Sequence, residues 1–127
     1  MSLSKITILI ANYNDEEYLD RSIESAVNQD YAGPLQICVV DDGSIDGSWE
    51  IINQYIKDPV KESFMGLDVV SSKNLNGRFG NTKVIAIKNE NTGPSEARNV
   101  GIKYTLKETD IYAILDSTTF TGAGTLP

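Results

Sequence analysis

Four short apolar runs constrain the fold of this chain more than any other feature of its sequence. Each run is rich in β-branched residues and nearly continuous in apolar side chains, which is typical of strands covered on both faces. The runs are residues 6–10, 35–40, 83–87 and 111–115. Stretches with apolar residues at three- and four-residue spacing separate them. This alternation predicts βαβ crossovers and therefore a three-layer α/β/α fold with a mainly parallel sheet.

Cap and turn signals place three helices between these strands. The first helix follows Asn14, a candidate N-cap with Glu17 three residues later as in a capping box. The second follows Ser44 or Asp46, either of which suits an N-cap. The third begins at Pro94, because proline is favoured in a first helical turn.

Residues 58–81 break the alternation of strands and helices. They combine Pro59 and a short apolar run with a long turn-rich stretch. We interpret the segment as an insertion or mobile loop that can carry one extra edge strand. The length of 127 residues otherwise predicts a single domain, residues 1–127.

Composition excludes several classes of function. The formal net charge of −7 disfavours a nucleic-acid partner, which would need a basic stripe. The chain has no histidine, so serine-hydrolase triads and histidine-based zinc sites are excluded. Cys38 stands alone in an apolar run and predicts a buried thiol, no disulfide and a reducing cytoplasm. No secretory signal or run long enough to span a bilayer is visible, and peripheral attachment to a membrane stays open.

Polar, acidic and glycine-bearing segments follow all four predicted strands. They begin at residues 11, 41, 89 and 116. Each segment alone is explained by the preference of such residues for turns and helix caps. In an open parallel sheet, however, ligands bind beyond the carboxyl ends of the strands. The convergence of four such segments on one edge therefore points to a binding site.

The order of these segments resembles the motifs of the family 2 glycosyltransferases. Residues 11–14 are similar to the family's Pro-x-Tyr-Asn, and residues 25–31 to its Ser-x-x-x-Gln-x-Tyr. Residues 40–47 match Val-Asp-Asp-Gly-Ser-x-Asp-Gly, and residues 91–101 match Asn-x-Gly-x-x-x-Ala-Arg-Asn-x-Gly. Together the motifs span nearly the whole chain. The chain thus resembles the N-terminal, nucleotide-binding half of these enzymes.

The resemblance implies both a fold and an activity. The fold is the GT-A fold, with a Rossmann-like sheet in which the four runs are ordered 3-2-1-4. The activity is transfer of a sugar, with inversion, from a nucleotide-sugar donor. We expect a UDP-sugar as the donor and a saccharide or lipid, which the sequence does not identify, as the acceptor.

The resemblance also assigns residues to a nucleotide site. Asp42 would accept the imide N–H of uracil, and Asp41 beside it would orient the loop or reach the ribose. Tyr13 would form an aromatic wall for the base, although alone it also fits a rim aromatic. Arg98 would balance the acidic cluster or reach a phosphate, although alone it fits a solvated helix charge. The other candidates are Gly43 and Gly93, which permit close backbone approach, with Ala11, Asn12, Asn14 and Asp116.

The family's Asp-x-Asp motif is incomplete in this chain. In the family it holds Mn²⁺ or Mg²⁺ against the diphosphate, and hard oxygen ligands suit those ions. Asp116 fits its first position, but Thr118 and Thr119 stand where further carboxylates are expected. A hydroxyl is a much poorer ligand for a dication, so we expect little dependence on a divalent cation.

Two alternatives to a working transferase stay open. Inverting transfer needs a carboxylate general base, which in the family lies after this part of the chain, and no candidate for it is found here. A catalytically degenerate nucleotide-binding module is therefore one alternative. A receiver-like signalling domain is another, but receivers carry their acidic pair after the first strand, whereas Asp41 and Asp42 follow the second.

Overall fold

The computed structural model describes residues 3–75 and 77–116, which form one mixed six-stranded sheet covered by helices. In chain order the elements are β1 (Ile6–Asn12), α1 (Glu16–Val27), β2 (Leu35–Asp42), α2 (Ser48–Asn53), β3 (Pro59–Phe64), β4 (Leu67–Ser72), β5 (Thr82–Asn89), α3 (Pro94–Thr105), a short 3-10 helix (Leu106–Glu108) and β6 (Ile111–Asp116).

The strands are ordered β3-β4-β5-β2-β1-β6. The four predicted runs are β5, β2, β1 and β6, and all three pairings among them are parallel. The predicted α/β fold and the predicted strand order are therefore confirmed. β1, β2 and β5 are buried on both faces, which explains why their sequences are nearly continuous in apolar residues.

Helices cover both faces of the sheet. Alternate side chains of the central strands, such as Ile8 and Ile37, pack towards α1 and α2, while their neighbours Leu9 and Cys38 pack towards α3. The approach of α3 to the sheet depends on Gly101. A Cβ atom there would clash with Leu9 Cδ1. Cys38 is fully buried, and this burial raises the pKa of its thiol to about 12.

The segment 58–81 contains two strands rather than the single edge strand that the sequence suggested. β3 and β4 form a hairpin, and β4 pairs antiparallel with β5. Phe64 pairs with Leu67, so the turn consists of Met65 and Gly66, whose φ angles of 54° and 77° are both positive. These angles fit the type I′ turn that is favoured in hairpins. A Met-Gly pair lacks the Asn-Gly or Asp-Gly signature of such turns, which is why the hairpin was missed.

Two predicted helix starts need correction. The residue before α1 is Asp15 rather than Asn14, and the residue before α2 is Gly47. Asn14 instead adopts a left-handed φ of 52°, and its Oδ1 accepts a hydrogen bond from the backbone N–H of Ile45 at 2.8 Å. Asp46 does act at the start of α2, since its Oδ1 accepts from Ser48 N at 3.0 Å. Asn14, the predicted N-cap of α1, therefore joins the loops after β1 and β2 instead. Across residues 3–75 and 77–116, no helix has the length and apolar character needed to cross a bilayer.

Candidate functional site

The carboxyl ends of β1, β2 and β5 meet at one edge of the sheet. The register places Asn12 beside Asp41, and Asp42 beside Asn89. All four side chains are buried although they are polar. Polar groups are buried at a cost unless they are hydrogen-bonded, so the partners of each show what this edge is built to do.

Asp41 is held by the loop that follows it and by β1. Its Oδ1 accepts hydrogen bonds from Ser44 Oγ at 2.5 Å and from Asn12 Nδ2 at 3.1 Å. Burial raises the pKa of Asp41, and these two hydrogen bonds oppose that effect. Within the described residues, no hydrogen bond is assigned to Oδ2 of Asp41. The carboxylate therefore keeps one oxygen for a further donor.

Asn12 presents a second acceptor beside that carboxylate. The residue is 1% exposed, and its Nδ2 donates to Asp41. Its Oδ1 is buried without a hydrogen-bond partner among residues 3–75 and 77–116. An unsatisfied buried acceptor costs about 1–3 kcal/mol, so such an atom calls for an explanation. A ligand that donates a hydrogen bond at this edge would supply one.

The loops after β1 and β2 are joined by reciprocal hydrogen bonds. The backbone N–H of Asn14 donates to Ser44 Oγ at 2.9 Å, and Asn14 Oδ1 accepts from Ile45 N. Ser44 thus contacts both loops as well as Asp41. These bonds fix the position of the two loops before any ligand binds, which reduces the ordering cost of binding.

Asp42 faces the opposite side of the sheet and is bound by three donors of the chain itself. Its Oδ1 accepts from Asn89 Nδ2 and from Thr92 N, both at 2.9 Å, and its Oδ2 accepts from Gly93 N, also at 2.9 Å. The residue is 3% exposed. The carboxylate therefore holds the loop between β5 and α3 in place.

Gly43 lies between these two sides. Its φ of 76° belongs to the left-handed region, where residues with a Cβ are strained. A Cβ atom at this position would also lie 2.8 Å from Cβ of Asn91, in the loop that Asp42 holds. Glycine is therefore required here for both its backbone angle and the close approach of the two loops.

The remaining candidates lie around this cluster. Tyr13 follows Asn12 and is 47% exposed, as a wall for a planar ligand would be. Gly93 has a φ of 102° and open space where a Cβ would be. Arg98 lies in α3 and is half-buried. Ala11 pairs in the backbone with Asp116 at the end of β6.

The metal-binding prediction falls largely outside the described residues. The side chain of Asp116 and all of Thr118 and Thr119 belong to the undescribed part of the chain. Among residues 3–75 and 77–116, no group of three or more acidic, cysteine or histidine side chains is arranged to hold a metal ion.

Sequence reasoning missed the structural partners of the two aspartates. The sequence named Ser44 as a helix cap and as part of the motif at residues 40–47, and it named Asn89 and Thr92 as part of a polar segment, without giving any of them a role beside the aspartates. A signal for Asn89 was nonetheless available, since it ends its strand as Asp42 ends β2 and the two are register partners. The backbone donors at Thr92 and Gly93 could not be read from side-chain types.

Comparison with known proteins gives a consistent picture. The sequence pattern described as "Glycosyl transferase family 2" matches residues 7–118. The minor teichoic acid biosynthesis protein GgaA of Bacillus subtilis is 36% identical over 113 residues, which is 87% of this chain and 21% of that protein. An uncharacterized glycosyltransferase of Haemophilus influenzae is 32% identical over 120 residues, 94% of this chain and 38% of that protein.

The fold comparison agrees. The crystal structure of Staphylococcus aureus TarS 1–349 in complex with UDP superposes with a TM-score of 0.65 at 24% identity, covering 95% of this chain and 29% of that one. This likeness shows the fold. The chain thus spans between about a fifth and two fifths of the length of these three proteins.

Proposed function

This chain belongs to glycosyl transferase family 2, and we propose that the edge formed by β1, β2 and β5 binds the nucleotide of a UDP-sugar. The whole protein would transfer that sugar, with inversion, to a saccharide or lipid acceptor. TarS structures that share this fold hold UDP and UDP-GlcNAc, which supports a uridine nucleotide as the ligand. The residues described here would bind and orient the donor.

The unpartnered oxygen of Asn12 is the observation that carries the proposal. Asn12 Oδ1 is buried without a donor in the described part of the chain, and no described residue donates to Oδ2 of Asp41 beside it. The imide N–H of uracil is a donor that would satisfy such an acceptor. Cytosine has an acceptor at the corresponding ring nitrogen and would leave the site unsatisfied. The geometry therefore favours uridine over cytidine nucleotides.

We assign the base contact to Asp41 together with Asn12, rather than to Asp42. The resemblance alone suggested Asp42, but three internal donors already bind that carboxylate. Asp41 keeps an oxygen available and lies beside Asn12. A charge-assisted hydrogen bond from the base would be about twice as strong as a neutral one. In this assignment Asp42 positions the loop that ends at Gly93.

Other residues complete the proposed site. Tyr13 would stack on the uracil ring, and Gly43 and Gly93 would let the backbone approach the ribose and diphosphate. Arg98 would interact with the phosphates. In the family a divalent cation neutralises the leaving diphosphate. Asp116, Thr118 and Thr119 supply one carboxylate between them, which does not fit a tight metal site, and no step of this proposal depends on a metal.

Calorimetric titration of UDP and CDP into the chain tests the proposal. We expect UDP to bind roughly ten-fold more tightly than CDP, because the cytosine ring leaves the buried oxygen of Asn12 unpaired. Asp41→Asn should weaken UDP binding about ten-fold, since the amide places a donor where the base donates. Glu90→Gln, an exposed change near the site, is the control. Equal affinities for the two nucleotides, or no effect of Asp41→Asn, would refute the assignment.

A catalytically degenerate nucleotide-binding module is the second candidate, and Thr118 and Thr119 favour it. Both candidates predict UDP binding, so the titration does not separate them. Release of UDP from UDP-sugars by the full-length protein does. Turnover that depends on Asp41 supports the transferase, whereas tight UDP binding without turnover of any UDP-sugar supports the binding module.

A further inference from the structure

We propose that the surface at the end of the parallel strands opposite the nucleotide site docks on an anionic membrane surface. The docking surface, which we call the basic corner, consists of Lys57, Lys73, Leu75, Arg78, Phe79 and Lys83. The distribution of charge motivates the proposal. Residues 69–87 contain three of the 11 lysines and arginines but none of the 18 acidic residues. A chain with a net charge of −7 thus carries one extended basic segment.

Two large apolar side chains project from the same segment. Leu75 is 53% exposed and Phe79 is 49% exposed. The guanidinium carbon of Arg78 lies 5.9 Å from the centroid of the Phe79 ring. Exposed apolar groups interleaved with cations are characteristic of segments that lie in a membrane interface, where the rings enter the headgroup region and the cations meet phosphates.

The cations surround Leu75 on both sides. One surface cavity is lined by Leu75 with Lys57 and Arg78, and another by Leu75 with Lys73 and Lys83. Acidic side chains also lie near this corner. The carboxylate of Asp58 accepts a hydrogen bond from Asn74 Nδ2 at 2.7 Å, and Glu62 lines the second cavity. Asp20 accepts a hydrogen bond from the hydroxyl of Tyr55, which lines the first cavity. The four cations outnumber these three acids.

Hydrogen bonds fix the loop at both ends. Lys73 N donates to the carbonyl oxygen of Asp58 at 3.0 Å, and Asn81 Nδ2 donates to the carbonyl oxygen of Tyr31 at 2.8 Å. Leu75 and Phe79 are therefore presented from a held loop. Binding through such a loop costs less ordering than binding through a free tail.

The acidic remainder of the chain does not prevent docking. The corner lies where β4 ends and β5 begins, whereas Asp41 and Asp42 lie at the other end of the parallel strands. Eight residues of strand separate the two edges by about 25 Å, which exceeds a Debye length of about 8–10 Å. A soluble polyanion would satisfy the cations but not the two apolar side chains, so a membrane is the partner that fits both.

Flotation of the chain with phospholipid vesicles tests the inference. We expect binding to vesicles that contain phosphatidylglycerol, little binding to phosphatidylcholine alone, and a decrease with added salt. The pairs Leu75→Ser with Phe79→Ser, and Lys73→Gln with Arg78→Gln, should each reduce the partition coefficient by about ten-fold or more.

Matched controls remove equal groups elsewhere. Lys103→Gln with Lys107→Gln makes the same change in net charge, and Met65→Ser with Ile114→Ser removes apolar side chains that are 62% and 50% exposed. Both control pairs should bind vesicles as the original chain does. Circular dichroism establishes that every variant is folded.

Three outcomes would overturn the inference. One is the absence of binding to phosphatidylglycerol vesicles, and another is binding that falls equally in the controls. The third is that soluble polyphosphate binds as tightly as the vesicles do, and that Leu75→Ser with Phe79→Ser leaves this polyphosphate binding unchanged. That result would indicate a site for a soluble polyanion. The variants leave the nucleotide edge unchanged, so the result is independent of UDP binding.

Discussion

Asp41 and Asp42 are adjacent and both buried at the end of β2, yet the hydrogen-bond donors around the two carboxylates differ between the two sides of the strand. On the α3 side, three donors of the chain bind the Asp42 carboxylate. On the α1 and α2 side, Asp41 receives two donors on one oxygen, and its neighbour Asn12 keeps a buried acceptor without a partner in the described structure. Burial alone therefore does not show which of the two carboxylates has a structural role. We propose that the number of internal donors does.

The largest effect is expected on the structural side, from Asp42→Asn. The amide nitrogen would face at least one of three donors, and a buried donor would lose its charged acceptor at a cost of about 2–3 kcal/mol. Urea denaturation should show this loss in the free energy of unfolding. The exposed change Glu90→Gln in the same loop should cost nothing measurable. If the two variants are equally stable, the three hydrogen bonds do not support the loop.

The contact between the two sides should give the next largest effect. Gly43→Ala introduces a Cβ into contact with Asn91 and strains a φ of 76°, whereas Gly66→Ala strains a φ of 77° with no atom within 4 Å. We expect both variants to lose about 1 kcal/mol to backbone strain, and Gly43→Ala to lose about 1 kcal/mol more. Thermal denaturation of the pair isolates the contact. Equal losses would mean that the loops can separate freely.

The side of β2 that carries Asp41 should respond in the opposite sense to Asp41→Asn. Because burial raises the folded-state pKa of Asp41 above 3.8, its ionisation lowers stability as the pH rises from that value through the raised pKa. The asparagine variant does not ionise, so it should be more stable than the original chain at neutral pH, by a margin that shrinks in acid. Denaturation at several pH values measures this. A variant that is less stable at neutral pH would place Asp41 with Asp42 as a structural residue.

The smallest effect is expected from divalent cations. With Asp116 as the single carboxylate of an incomplete motif, Mn²⁺ should change UDP affinity little. Thr118→Asp should create a metal dependence of roughly 1–3 kcal/mol, since metal and nucleotide would then be coupled ligands. Titration of UDP with Mn²⁺ and with a chelator checks both statements. Strong Mn²⁺ dependence of the original chain would show that other residues complete a metal site.

The sequence predicted the parallel core well and its edge poorly, for a physical reason. Runs such as residues 35–40 are buried on both faces, and this environment leaves a strong apolar signature. β3 is mostly exposed, so its composition carries no such signature. Its turn relies on Met65, a residue that rarely adopts a positive φ. Local preference there was overridden by the pairing of β3 with β4.

The candidate site was predicted by its residues but not by their partners. The resemblance named Asp41, Asp42 and Asn12, and the structure brings all three to one edge. Strand alternation alone would have placed the two carboxylates on opposite faces. It could not show that backbone N–H groups of the β5–α3 loop converge on one of them. That information depends on the path of a loop, which side-chain types do not determine.

The burial of Cys38 makes its thiol a chemical probe of how often the folded chain opens. The thiol lies in the central strand β2, and a pKa of about 12 leaves almost no thiolate while the sheet is closed. In an opened chain the group regains ordinary acidity and becomes alkylatable. The rate at which an alkylating reagent labels this single cysteine therefore counts how often β2 separates from its neighbours. A nucleotide that bridges β1 and β2 should slow the alkylation of Cys38 in proportion to the fraction of the chain that is bound.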